Sequence, residues 1–180
     1  IDPDDAEKKI TKKTRAIIVQ HTFGIPAQMD KLVTLAKKHK SFLIEDCAHS
    51  LGATYKGKLV GTFGDAAFFS FGRDKVISSV FGGVAMLKDA DVAKKLSEVY
   101  QTISYPPLWW IVQQVLHPII FAFVLPFYQW GIGKVILLLS QKLKLLSFPV
   151  YPEEKKGNKP SMFPTLLPNA LAVLAVHQLT

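Results

Sequence analysis

The sequence predicts an α/β fold: a mainly parallel sheet flanked by helices, with an apolar helical insertion in its later part. Three features carry this expectation. Strand-like and helix-like runs alternate between Arg15 and Asp46 at the spacing of a βαβ unit. Two further strand-like runs follow across a glycine-rich connection. Beyond Tyr105 the composition changes, and no residue from Pro106 to Gly133 carries a formal charge, any protonation of His117 aside.

The elements follow in order. "RAIIVQH" (Arg15 to His21) is short, apolar and rich in β-branched residues, so it reads as a strand. "FGIPAQ" turns the chain, and Pro26 suits the first turn of a helix running to about His39. Met29, Leu32, Val33, Leu35 and Ala36 recur at helical spacing and give that helix a buried face. "SFLIED" (Ser41 to Asp46) is the second strand, with Asp46 at its carboxyl end, where open α/β sheets place ligands. In the connection that follows, "YKGK" has the make-up of a tight hairpin turn. "DAAFFSF" (Asp65 to Phe71) is a strand, a loop holds Lys75, and "GGVAMLK" is a further strand. Asp89 to Tyr100 suits a helix with Val92, Leu96 and Tyr100 on one face, and the segment from about Asn169 is helical again.

With 180 residues the chain can bury a core. It begins at Ile1 and ends inside an apolar helical pattern, and so reads as a piece of a longer protein. Lys and Arg number 22 against 14 Asp and Glu, a formal charge of +8 that suits an anionic membrane surface, a phosphorylated substrate or nucleic acid. The basic residues lie in mixed clusters, with no zinc-finger spacing and no RNA-binding aromatic signature, which argues against nucleic acid. The single cysteine, Cys47, excludes an intrachain disulfide and a cysteine-cluster metal site, and a reducing, cytoplasmic compartment is the simple expectation.

Asp46 at a strand end and Lys75 in a strand-end loop can face one pocket of a parallel sheet. Pyridoxal phosphate chemistry needs both residue types: an amine to carry the cofactor and shuttle protons, and a carboxylate to keep its ring nitrogen protonated. Ser70 could offer a hydroxyl to the phosphate. Position alone leaves the alternatives open, Lys75 as a solvated loop charge and Asp46 as a structural strand-end carboxylate. His49 could be a buried structural histidine, and His21 could line the pocket or serve structure. Asp65 is expected to cap or fix the turn from Gly61 to Gly64 rather than do chemistry. Cys47 is not expected to act as a nucleophile. His39 and His117 have no evident partners in the sequence, and no metal site is expected.

The stretch from "ITKKTRAIIVQHTFGIPAQMDKL" through "FLIEDCAHSLGATYKGKLVGTFGDAAFFSFGRDK" closely resembles the DegT/DnrJ/EryC1/StrS family of pyridoxal-phosphate-dependent sugar aminotransferases, which have fold type I. The resemblance covers roughly residues 8 to 100, and "LPNALAVLAVHQL" weakly resembles a later family helix. It implies that the chain holds part of the large cofactor-binding domain. It implies that Lys75 carries the pyridoxal phosphate, Asp46 meets the pyridine nitrogen, His49 contacts the ring near its 3-hydroxyl and Ser70 binds the phosphate. A dehydratase branch of the family has histidine in place of the lysine, so Lys75 favours amine transfer. The implied reaction moves an amino group from an amino acid, commonly glutamate, to a keto sugar, commonly nucleotide-linked, within a homodimer.

Two departures from the family pattern stand out. After the lysine the family has a glycine-rich segment such as "GEGG", whereas this chain has "SSVFGG", with Phe81 in the acidic position. The apolar insertion also replaces or extends a shorter, polar linker. Two segments, about Leu108–Leu125 and Phe127–Leu146, are each short for a complete membrane span and fit a re-entrant hairpin or a pair of interfacial helices. Lys94, Lys95, Lys142, Lys144, Lys155 and Lys156 flank them, as at the inner face of a membrane. A buried hairpin at a dimer interface is the alternative. The expected division is a partial cofactor-binding domain at 1–105, the insertion at 106–150, a proline-rich return loop at 151–168 and the start of a returning helix at 169–180. Two other classes stay open: a non-catalytic cofactor-binding homologue acting as a membrane-associated partner or regulator, and a membrane protein whose α/β domain binds a phosphorylated ligand.

Overall fold

The computed structural model describes residues 1–148 and 150–179, so that Pro149 and Thr180, at the edges of the expected insertion and returning helix, lie outside the described residues. The chain forms two compact units. The first comprises Ile1–Val76 and Gly83–Glu98, and the second comprises Ile77–Gly82 and the chain from Val99 onward.

The first unit opens with helix α1 (Pro3–Lys9), which the sequence reading missed although its start signals are present. The Asp2 carboxylate accepts from the Asp4 amide at 2.8 Å, Pro3 stands at the first helical position, and acidic residues open the helix while lysines close it. Strand β1 (Ala16–Gln20) and helix α2 (Met29–His39) follow. The helix starts three residues later than Pro26 suggests: the Ala27 amide is held by His21 Nδ1 and Gln28 is a non-helical N-cap. Strand β2 (Phe42–Asp46), the two-stranded hairpin β3 (Thr54–Tyr55) and β4 (Lys58–Leu59), then β5 (Ala66–Ser70) and β6 (Gly83–Leu87) complete the strands. The hairpin turns through Lys56 and Gly57, both at positive φ, as the "YKGK" pattern requires.

The main sheet has the order β1-β2-β5-β6. The first three strands are parallel and β6 runs antiparallel along the edge, so the sheet is mainly parallel as expected. One face packs on α2. Ile17, Val19 and Leu43 from the strands meet Met29, Leu32, Leu35 and Ala36 from the helix, while Val33 packs at the rim. A second cluster, Cys47, Val60, Ala67 and Phe69, continues that layer. Strand alternation sends Ile18, Phe42 and Phe68 to the opposite face, where each is exposed. Helix α3 (Ala90–Gln101) follows β6.

In the second unit, α4 (Leu108–Val124) carries Pro118 in its interior and ends in a 3-10 turn at Leu125–Phe127. Helix α5 (Ile132–Lys142) begins later than the expected Phe127, because Gly131 adopts a left-handed conformation that the helix cannot include. Gly133 lets α5 approach the end of α4: a Cβ there would lie 2.6 Å from the Val124 carbonyl oxygen. The short α6 (Pro152–Lys155) and α7 (Asn169–Val176) complete the unit.

Candidate active site

Strand register decides which candidate residues share a face. Asp46 pairs with Phe68 across β2 and β5, so Asp46, Phe68 and Ser70 fall on one face of the sheet, at or near the carboxyl ends of their strands. That face is the one opposite α2. The backbone of Asp46 is fixed from β1, where the His21 amide donates to its carbonyl at 3.0 Å. The neighbouring Cys47 amide donates to the Phe68 carbonyl at 2.9 Å. The Asp46 carboxylate accepts one local hydrogen bond, from the Ala48 amide at 3.0 Å, and is half-buried.

Past the end of β5 the chain folds back around Gly72. The Gly72 amide donates to Ser70 Oγ at 3.3 Å. A Cβ at Gly72 would lie 3.2 Å from Asp74 Oδ1, 3.5 Å from Ser70 Oγ and 3.9 Å from Lys75 Cε, so these side chains converge on the glycine. Lys75 Nζ donates to Asp74 Oδ2 at 2.7 Å. The lysine side chain is only 12 % exposed while its partner aspartate is 74 % exposed, which marks Lys75 as an inward-held amine rather than a solvated loop charge. The hydrogen bond from Lys75 is the main reason the Asp74 carboxyl sits below its ordinary range, partial burial opposing it, with a smaller contribution from the field of His49. The His49 ring stacks on Phe23 at 5.1 Å between centroids, and its buried Nδ1 has no hydrogen-bond partner among the described residues.

Ser70, Gly72, Asp74 and Lys75 therefore gather at one spot, with His49 within electrostatic reach and Asp46 on the same sheet face as Ser70. Lys75 pairs with Asp74, which the sequence reading did not single out, and not with Asp46. This donor set suits pyridoxal phosphate: an inward amine for its aldehyde, a strand-end carboxylate for its ring nitrogen, a hydroxyl for its phosphate and an unsatisfied imidazole nitrogen.

Beneath the site lies a residue that sequence reasoning missed. Glu45 alternates with Asp46 and so points to the opposite, helix-covered face, where it is fully buried. Its Oε1 accepts from the amides of Phe63 at 2.7 Å and Gly64 at 2.6 Å, and its Oε2 accepts from the Gly61 amide at 2.8 Å and from His21 Nε2 at 3.1 Å. Burial acts to raise the Glu45 pKa, yet the hydrogen bonds from His21, Gly64, Gly61 and Phe63 together hold it below the ordinary value. His21 accepts the Ala27 amide on Nδ1 at 3.2 Å, so its proton sits on Nε2 and faces Glu45. His21 is thus a structural strut linking β1, β2 and the start of α2. The donor atoms of His21, Glu45 and Cys47 lie within 4.8 Å of one another, but the first two are occupied by these hydrogen bonds and burial pushes the Cys47 thiol up to about 11.

Asp65 does not cap the turn from Gly61 to Gly64, as the sequence had suggested. Its Oδ2 accepts from the Leu43 amide at 2.8 Å and its own amide donates to the Leu43 carbonyl at 2.7 Å, which locks the start of β5 to β2. Glu45 holds the turn instead. The signal for this was a carboxylate at an inward strand position, two residues after Leu43, in a chain with a glycine-rich turn downstream.

Known proteins resemble the chain over this unit. GDP-perosamine synthase of Escherichia coli O157:H7 is 49% identical over 85 residues, which cover 47% of this chain and 23% of that protein. The dTDP-3-amino-3,6-dideoxy-alpha-D-galactopyranose transaminase of Aneurinibacillus thermoaerophilus is 44% identical over 98 residues, covering 54% of this chain and 27% of that one. Among solved structures, an aminotransferase from Psychrobacter cryohalolentis superposes with a TM-score of 0.52 at 35% identity, over 59% of this chain and 30% of that one. The chain spans about a quarter of the length of the curated relatives it matches. Residues 1–104, more than half of the chain, match the DegT/DnrJ/EryC1/StrS aminotransferase family, and the chain belongs to that family.

Proposed function

We propose that the whole protein is a pyridoxal-phosphate-dependent aminotransferase. It moves an amino group from an amino acid, assigned as glutamate, to a keto sugar carried on a nucleotide, in the making of cell-surface polysaccharides or glycoconjugates. The observation that carries this reading is the inward-held amine of Lys75, gathered with Ser70 around Gly72 at the strand ends. The relatives' names, a perosamine synthase and a dTDP-amino-sugar transaminase, support the substrate class. We assign residues 1–105 to a partial cofactor-binding domain, 106–150 to an apolar insertion, 151–168 to a return loop and 169–180 to the start of a returning helix. The protein acts as a homodimer in the cytoplasm, with the insertion at the inner face of a membrane.

Bound pyridoxal phosphate supplies the electron sink that makes the substrate carbon acidic. The chain supplies the rest. Lys75 Nζ carries the cofactor and then moves the proton at the amine-bearing carbon of the substrate. Its Nζ rests on Asp74 Oδ2 at 2.7 Å, so Lys75 must leave that carboxylate to reach the cofactor. Asp46 would keep the proton on the cofactor's ring nitrogen, Ser70 would hold its phosphate, and His49, stacked on Phe23, would offer Nδ1 to its ring substituents.

The test is the visible absorption of the full-length protein with added cofactor, beside Lys75→Ala. A band present only with Lys75, and lost when glutamate is added, supports amine transfer. A folded full-length protein with no lysine-dependent band refutes it. A band that no amino acid alters would instead mark a binder without turnover.

A further inference from the structure

All eight formal charges of the second unit, six lysines and two glutamates, fall between Lys134 and Lys159, while Val99 to Gly133 carries none. Helix α5 begins this charged stretch, and its two sides differ. Ile132, Val135, Ile136 and Leu139, continued by Leu143, repeat at i, i+3, i+4, i+7 and i+11, which is one face of a helix, and each is between 38 and 67 % exposed. Lys134 and Gln141 stand on the opposite side, which also exposes Leu138, and Ser140 and Gly133 are buried. Helix α4 shows the same division. Leu108, Ile119 and Phe123 form an exposed apolar stripe at 48 to 75 %, while its polar groups turn inward.

Those inward groups are satisfied within the unit. Gln114 Nε2 donates to the Trp110 carbonyl at 2.9 Å, Ser147 Oγ donates to Gln114 Oε1 at 2.7 Å, and Trp110 Nε1 donates to the Tyr151 hydroxyl at 2.7 Å. Gln113 Nε2 donates to the Lys144 carbonyl at 2.5 Å. Polar groups paired inside and apolar stripes outside are the reverse of a water-soluble helix pair, and they meet the demand that hydrocarbon makes of a polypeptide.

We infer that α4 and α5 lie in the plane of one leaflet of a membrane rich in anionic lipid, with the α5 stripe immersed and the lysines at the headgroups. The inference rests on the assignment of the insertion to a membrane, and not on the chemistry assigned to Lys75. The 11 residues of α5 reach about 16 Å, too short to cross a hydrocarbon core of about 30 Å. The helical run Leu108–Phe127 is by itself long and apolar enough to cross, but the bonds from Gln113 to the Lys144 carbonyl and from Ser147 to Gln114 tie it to the chain after α5, so α5 would have to enter with it. Charge excludes a hairpin inserted tip first, because that would bury Lys134, which stands two residues into α5 and lies over the Tyr128 ring at 5.5 Å. An in-plane helix has neither difficulty, since it keeps Lys134 on the aqueous side. The excess of lysine over acidic residues, six against two, complements anionic headgroups.

Flotation of the full-length protein with vesicles tests this, using phosphatidylcholine alone and phosphatidylcholine with phosphatidylglycerol. The protein floats with the anionic vesicles, and the doubly substituted Ile136→Glu/Leu139→Glu protein stays in solution. Lys142→Gln/Lys144→Gln weakens partitioning about 30-fold at about 1 kcal/mol per lysine. On bound vesicles, a cysteine at Lys134 (Lys134→Cys) reacts with a water-soluble maleimide and one at Leu139 (Leu139→Cys) is protected. Retention of helical circular dichroism and of the Lys75-dependent absorption band shows that each variant folds, so failure here is separate from failure of the aminotransferase reading. The inference is overturned if the unmodified protein stays in solution. It is overturned equally if the glutamates dissociate copies of the protein from each other without changing flotation, or if the two cysteines label alike.

Discussion

Replacing Glu45 with Gln changes one oxygen for an amide and removes a charge, and the structure sets the cost. The retained oxygen can still accept from the Phe63 and Gly64 amides. The new amide group then faces two donors, the Gly61 amide and His21 Nε2, at sites that are fully buried. His21 cannot relieve this by moving its proton to Nδ1, because that atom accepts the Ala27 amide. Two buried donors left without acceptors, and two remaining bonds weakened from charged to neutral, should cost about 3–4 kcal/mol. Urea unfolding of the full-length protein measures the loss. Asp46→Asn, one residue away, is the control: its carboxylate accepts one local bond and is half-buried, so its cost should stay below about 1 kcal/mol. The pH dependence has a definite sign. The folded-state pKa of Glu45 lies below the value of 4.5 expected in an unfolded chain, so its contribution is complete above that value and disappears as pH falls through the folded one. The gap between the two proteins should therefore narrow on acidification below about pH 4.5. A loss under about 1 kcal/mol, or a gap that does not change with pH, would refute the reasoning.

Gly64→Ala would place a Cβ 2.5 Å from the Leu43 carbonyl oxygen and 3.1 Å from that of Ala66, both backbone atoms that cannot step aside. The expected loss is about 3 kcal/mol, read from the urea midpoint. Cys47 should resist iodoacetamide at pH 8 in the folded protein, since it is buried and its thiol is pushed up to about 11, and should react once urea exposes it. Rapid labelling without denaturant would contradict the packing of Cys47 against Val60 and Phe69.

Much of the fold was legible because period and punctuation agreed. The β-branched run in β1, the helical spacing of Met29, Leu32, Leu35 and Ala36, and the left-handed pair Lys56–Gly57 each point to a single local structure. Other elements depend on partners far away in sequence. The antiparallel direction of β6 is a tertiary choice, since Gly83 to Leu87 would have the same pattern in either direction. The late start of α2 depends on His21, whose Nδ1 takes the Ala27 amide from the far end of β1. Lys75 and Asp46 were singled out as candidates through residue type and strand-end position, but Asp74 was not. Its relevance appears only when the chain folds back at Gly72 and sets its carboxylate against Lys75 Nζ.

The adjacent acids Glu45 and Asp46 show how one strand divides two carboxylates between its faces. Alternation sends consecutive side chains to opposite faces, so a pair of carboxylates at a strand end must divide its work. Glu45 goes under the sheet, where three amides and a neutral imidazole stabilise its charge without a counter-cation. Asp46 goes over the sheet, where a single local amide leaves most of its acceptor capacity free. Because the bonds to Glu45 tie the glycine turn and the end of β1 to β2, they fix the backbone from which Asp46 projects. Exchanging the two roles would require a shift of β2 by one residue. That shift would turn Leu43 out of the core against α2 and break its paired hydrogen bonds with Asp65. The buried acid thus sets the register, and the register turns the half-buried acid to the opposite face of the sheet.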